Sequence, residues 1–357
     1  MRSWLTFSNA ALVLVLFLSC DSGGGDRPAA PSTRPSSSLV STPAAKGPAR
    51  SLLYLDGNDL RTFDLATGRD RFLAQAPSTD ATATPDGDRI AYVVSSSPGP
   101  TDEDFIAVPE LQIADVSSGA LSDAGAGFSP MWSPDGSRLA ALVPAEARGC
   151  EGETCLGTVS AAVIEPATGD RTTVVEPGRM SLLGWWGDRL LIGLQDPPSV
   201  IASSVDGSLE RLDFVPNEVW GPAPNGDSLL VVDEDSARFA RPDSPAIADS
   251  VPLDGLMLGE GAWAPNSSEV AAVGLGRGGS QIVLLGPHDG RPRPVARSGG
   301  AQGQIVWAPD SGSFVFARSI GGRGLRLQAL HCRMRNEVAC SPLFSWGRGE
   351  RLLALVP

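Results

Sequence analysis

Short apolar runs recur along this chain, and each is closed by a compact polar turn. One phrase holds an aromatic or small residue, then Pro-Asp-Gly or a relative, then a charged or polar residue, then an aliphatic run. It reads ATPDGDRIAYVV from Ala83, WSPDGSRLAALV from Trp132, WWGDRLLIGL from Trp185 and WGPAPNGDSLLVV from Trp220. It returns as WAPNSSEVAAV from Trp263, WAPDSGSFVFA from Trp307 and WGRGERLLALV from Trp346, which makes seven copies. Pro presets the first turn position and Asp-Gly or Asn-Gly accepts left-handed backbone, so the phrase predicts a hairpin that leads into a buried strand. A second phrase lies between the copies: LRTFDLATG from Leu60, LQIADVSSG from Leu111, AAVIEPATG from Ala161 and IASSVDG from Ile201. Looser forms begin at Ala237, Gln281 and Leu327. Each is an apolar strand, a turn and a shorter strand.

Two hairpins per unit make four strands in roughly 44 residues, and such units repeated in tandem predict a β-propeller. A blade alone would leave its apolar faces wet; packing blades around an axis buries both. The fold class expected for residues 51–357 is therefore all-β, a seven-bladed propeller of four-stranded blades. The chain opens on the second phrase and closes on the first. The ring is thus expected to shut through a blade shared by both termini, with the strands around Trp346 and residues 352–356 completing the one begun by residues 51–74.

The repeat centred on Trp132, Pro134, Asp135 and Gly136 resembles that of the TolB-like, WD40-like (PD40) propellers, with close relatives at Trp263 and Trp307. The resemblance spans nearly all of residues 51–357. It implies the propeller fold, with Trp132, Trp185, Trp220, Trp263, Trp307 and Trp346 as repeat anchors wedged between blades. Trp186 is expected to be more exposed. Propeller lipoproteins of high-GC bacteria look similar, and 27 arginines against the single Lys46 suit such a genome. Such lipoproteins imply a binding or accessory role at the cell envelope.

The N-terminus reads as an address. Arg2 precedes an apolar run over residues 10–18, which is too short to span a bilayer, and Phe17-Leu18-Ser19-Cys20 resembles a lipobox. Residues 1–19 are expected to be a lipoprotein signal peptide and Cys20 the lipid attachment site, tethering the protein to the outer face of a membrane. Residues 21–50 are expected to be a disordered tether: 20 of the 30 are Gly, Pro, Ser or Ala.

Composition narrows the partners. The net charge is −13; residues 1–50 carry +3, which leaves −16 on residues 51–357. A chain this acidic is a poor phosphate-backbone binder, so no nucleic acid is expected, and any charged partner would be cationic. Cys150 with Cys155, and Cys332 with Cys340, are close in sequence, and in an exported protein both pairs are expected to be disulfides. No cofactor or metal is expected: His288 reads as a turn residue, His331 neighbours Cys332, and neither acidic run (residues 102–104 and 233–235) has calcium-loop spacing. The leading function is a non-catalytic scaffold that binds an unidentified envelope protein or ligand. The alternative is an extracytoplasmic hydrolase or lyase with its site at the channel mouth, marked by ionisable groups converging there.

Overall fold

The computed structural model describes residues 49–75, 80–95, 109–144, 158–214, 219–241, 244–297, 301–320, 326–334, 338–346 and 351–356. Cys20, Cys150, Cys155, the signal segment and residues 102–104 lie outside these. The described chain forms seven four-stranded antiparallel sheets. Blade 1 combines Arg351–Val356 with Ser51–Asp56, Asp59–Asp64 and Asp70–Gln75. Blades 2 to 7 follow in chain order over residues 81–126, 128–178, 180–212, 219–252, 257–297 and 301–346.

The core is distributed among the seams. Seven clusters of buried side chains are present among the described residues, each drawn from two neighbouring blades. Leu53 and Leu60 of blade 1, for example, pack with Ile90 and Tyr92 of blade 2. Burying one such Leu contributes about 2 kcal/mol, and no blade could bury its own faces without a neighbour.

The innermost and second strands of five blades are joined by one turn. Gly87, Gly136 and Gly226 donate their N–H groups to the carbonyls of Thr84, Ser133 and Ala223; Ser267 and Ser311 donate equivalently to Ala264 and Ala308. All five donors have positive φ, between 57° and 76°. Blade 4 shortens the turn to Gly187-Asp188, with Trp186 opposite Arg189.

Closure differs from the expectation in one respect. Only the strand Arg351–Val356 crosses to blade 1, where it pairs with Ser51–Asp56, and the Arg50 N–H donates to the Val356 carbonyl at 2.8 Å. Trp346 instead ends the outer strand of blade 7, Ala339–Trp346. It is therefore not at the anchor position, which in blade 1 falls on Leu355, opposite Leu52. The reason is topological. Elsewhere the anchor precedes a hairpin between the two inner strands, but in blade 1 these come from opposite ends of the chain and no hairpin joins them. The apolar run after Trp346 is consequently an innermost strand, whereas in the other copies it is the second.

Candidate functional site

The register of each blade places the anchor opposite the first core residue of the next strand: Trp132 faces Leu139, Trp185 faces Leu190, Trp263 faces Val270 and Trp307 faces Phe314. Each of these indoles donates its Nε1–H backwards, to the preceding blade. The acceptors are the carbonyls of Thr82 (3.2 Å), Met131 (3.0 Å), Gly221 (3.4 Å) and Ala262 (2.9 Å). Every acceptor stands one residue before the anchor position of its own blade. A buried indole N–H needs such a partner, and here the need joins blades.

Blade 5 departs from this pattern. Pro222 takes the anchor position, opposite Leu229, and Trp220 stands two residues earlier, at a break in register. Trp220 packs over Gly261 of blade 6, where an added Cβ would lie 2.9 Å from its ring. Pro222 cannot donate a hydrogen bond, and the seam between blades 4 and 5 is bonded in reverse: Trp186 Nε1 donates to the Gly226 carbonyl at 2.6 Å. Trp186 is thus half-buried, and Arg189 lies over its ring at 4.7 Å.

One shared register, three residues before the anchor, is polar in four of the seven blades. These positions are Leu352, Asp80, Ser129, Leu182, Val219, Glu260 and Gln304. The Ser129 N–H donates to Asp80 Oδ2 (2.7 Å), Gln304 N–H to Glu260 Oε2 (3.1 Å) and Leu352 N–H to Gln304 Oε1 (3.1 Å). Ser129 and Gln304 have φ of 51° and 55°, so the same bulged backbone recurs beside each carboxylate. The two carboxylates lie in different parts of the ring, in blades 2 and 6.

Other carboxylates hold turns. Asp64 accepts from Ala66 and Thr67 N–H groups; Asp115 accepts from Ser117 and Ser118. The Ser117 hydroxyl and the Ser118 amide hold the Asp115 carboxyl down to about 2. Burial alone would raise the Asp135 carboxyl, but hydrogen bonds from Ser133 and Ser137 outweigh it and keep it below the usual range. Asp233 caps the turn of the acidic run by accepting from the Asp235 and Ser236 N–H groups. In blade 1, Arg61 donates to Asp70 from Nε and Nη2 (3.0 and 2.7 Å), and Tyr54 stands opposite Arg61. Burial, then the Asp70 charge, push the Tyr54 phenol above its ordinary value.

Cys332 and Cys340 face each other across the last hairpin and are joined by a disulfide. His288 is exposed, with its Nδ1 3.6 Å from Asp249. His331 is only 7% exposed and its Nε2 has no hydrogen-bond partner among the described residues. Burial, then the Arg333 charge, lower its pKa from the ordinary 6.5.

One groove, of about 730 Å³, lies where the 253–256 turn meets the 276–279 hairpin and residues 291–294 of blade 6. Asp254 and Gly255 have φ of 51° and 78°, and the Leu256 N–H returns to the Leu253 carbonyl. Three arginines line the groove, Arg277, Arg291 and Arg293, with Asp254 as the one acidic lining residue. Arg293 is held by Glu269 at 2.6 Å and Asp289 at 3.5 Å. This cluster is not legible in the sequence, because its members come from separate turns, none of which carries a motif.

No family model matches the chain, and no curated protein matches it in sequence. Solved structures resemble the fold. TolB from Acinetobacter baumannii is similar with a TM-score of 0.50 at 13% identity, over 86% of this chain and 67% of that one. A prolyl endopeptidase structure gives 0.60 at 14% identity, over 86% and 50%. Pyrococcus horikoshii acylaminoacyl peptidase gives 0.56 at 16%, over 81% and 48%. The chain spans about half the length of each peptidase it resembles. Likeness at such identities shows the fold, a propeller of the kind found in TolB.

Proposed function

We propose that this chain is an exported lipoprotein, anchored through Cys20, whose propeller serves as a non-catalytic binding scaffold at the cell envelope. The observation that carries the reading is how the described ionisable groups are placed. Most of the carboxylates with a shifted pKa hold turns, while the open groove of blade 6 is lined with charged side chains. A frame bonded from blade to blade supports such a role, because it presents its loops and grooves without rearrangement. Crosslinking in the native envelope, followed by identification of the captured protein, tests the scaffold. Capture of a defined partner supports it; no capture, together with turnover of a glycan or peptide by the purified protein, overturns it. Cys20→Ser is expected to move the protein from the membrane fraction to the soluble one, and retention in the membrane would refute the anchor.

A second reading, an extracytoplasmic hydrolase or lyase, is favoured by one observation. Asp80 and Glu260 occupy equivalent positions on inner strands, where a carboxylate would meet a substrate entering the channel. Each accepts a backbone N–H, which favours the charged form and suits a structural role at least as well. Asp80→Asn with Glu260→Gln separates the two, since it would abolish turnover and leave partner capture intact.

A further inference from the structure

We infer that the groove of blade 6 is a binding site for a small amphiphilic anion, an apolar body carrying one carboxylate or phosphate group. The inference deepens the binding reading by naming a ligand class. It rests on three features that meet in one place.

The first is charge against its background. The chain carries −13, yet Arg277, Arg291 and Arg293 converge on this groove with Asp254 as the opposing lining charge. Arg293 is engaged by Glu269 and Asp289, whereas Arg277 and Arg291 are exposed and make no ion pair or hydrogen bond among the described residues. A guanidinium offers forked donors that match the oxygens of a carboxylate or phosphate, so two free forks at one groove form an anion receptor.

The second is apolar surface beside the charge. Leu256, Pro292 and Pro294 line the groove beside the arginines, Pro294 exposed and the other two half-buried. Apolar lining next to free arginines gives a ligand somewhere to bury a hydrocarbon body while its head group is held. The volume, about 730 Å³, suits a small molecule.

The third decides against larger occupants. The outer strand of blade 6, Arg293–Arg297, carries Pro294 and is preceded by Pro292. Proline removes backbone donors, so a peptide could not extend this edge as a further strand. A membrane rich in anionic lipid, or a polyanion, would meet the repulsion of the whole acidic ring, whereas a single small anion meets chiefly the local field.

Full-length protein carrying Cys20→Ser, titrated by calorimetry with decanoate and with decyl phosphate below their micellar concentrations, tests the site. Decanol and decyltrimethylammonium serve as neutral and cationic controls. Binding of one or both anions is expected, and the two arms show whether the head group is carboxylate or phosphate. Arg277→Glu with Arg291→Glu should weaken that binding at least tenfold, and Pro294→Glu, in the apolar lining, at least threefold. The remote Arg211→Glu should leave it unchanged. Arg277→Gln with Arg291→Gln provides the same test should the charge reversal disturb folding. No binding of either anion, equal binding of decanol, or affinity unaltered by both double variants would overturn the site. Partner capture in the envelope is read in a separate experiment, so loss of the anion site with capture retained refutes the groove alone, and loss of both refutes the scaffold as well.

Discussion

The guanidinium of Arg89 stands 4.8 Å from the ring centroid of Trp132, and its Nη2 donates to the Gly136 carbonyl at 2.5 Å. Arg89 opens the second strand of blade 2, while Trp132 ends the innermost strand of blade 3 and Gly136 lies in the turn that follows. The charged residue of the repeat phrase is thus a clamp on the next anchor. Arg138 repeats the arrangement over Trp185 at 5.2 Å. The seam between blades 2 and 3 is thus bonded in both directions, with the indole reaching back and the guanidinium reaching forward.

Arg89→Ala is expected to destabilise the ring by about 1–2 kcal/mol, from the lost cation–π contact and hydrogen bond. A double-mutant cycle with Trp132→Phe, read by urea denaturation, should show coupling of about 1 kcal/mol. Additive effects would mean that the guanidinium and the ring do not act together.

Removal of residues 344–357 deletes the strand that supplies Leu352 and Leu355, which are 3% and 2% exposed at the seam between blades 7 and 1. Blade 1 would lose its innermost strand, and the truncated protein is expected to unfold without a cooperative transition. A sharp transition like that of the full chain would show that the ring holds without its clasp.

Gly87 tests the same closure from the other side. Its φ is 73°, and a Cβ there would lie 1.7 Å from Val356 Cγ1. Gly87→Ala should cost about 3 kcal/mol, combining overpacking with left-handed strain. Val356→Ala in the same chain removes the Cγ1 contact but leaves a Cβ 2.6 Å away, so it should recover only part of that loss. Thermal midpoints of the single and double variants measure the loss and the recovery.

The disulfide joins directly opposed strand residues, and Cys332 is fully buried. Cys332→Ala with Cys340→Ala should lower stability by about 2 kcal/mol, the cost of releasing a short loop. Urea midpoints at equal pH measure the loss.

Two groups give separable responses to acid, in different windows. His331 titrates below 6.5 in the folded state, so the unfolded chain binds the proton more readily. Stability should therefore fall as pH drops below 6.5, and His331→Gln should remove that slope. Asp115 is held down to about 2 from an ordinary 3.8, so its contribution is complete above pH 3.8 and fades as pH falls towards 2. The difference in thermal midpoint between the native chain and Asp115→Asn should shrink to nothing across that second window. A constant difference would show that the turn hydrogen bonds do not favour the carboxylate.

Much of this architecture is legible in the primary structure because it rests on local chemistry. A Pro-Asp-Gly turn needs positive φ at one residue, and the same backbone recurs at Gly87, Gly136 and Gly226. Trp220 and Trp346 show where local reading stops. Both precede turn-like residues and an apolar run, yet Pro222 and Leu355 hold the anchor positions. Register is set by pairing with the neighbouring strand, and for blade 1 that neighbour comes from the other end of the chain.

The sequence by itself determined the repeat, the strand-and-turn alternation, the seven-blade count and the meeting of the two termini, since each follows from residues within one unit or from the order of the units. The tertiary structure alone decided what joins the blades and what they leave open. The indole acceptors lie 42 to 54 residues from their donors, and the arginines of the groove come together from separate turns. Contacts across a seam depend on how twisted sheets stack side by side, and no local pattern of apolar and polar residues specifies that geometry.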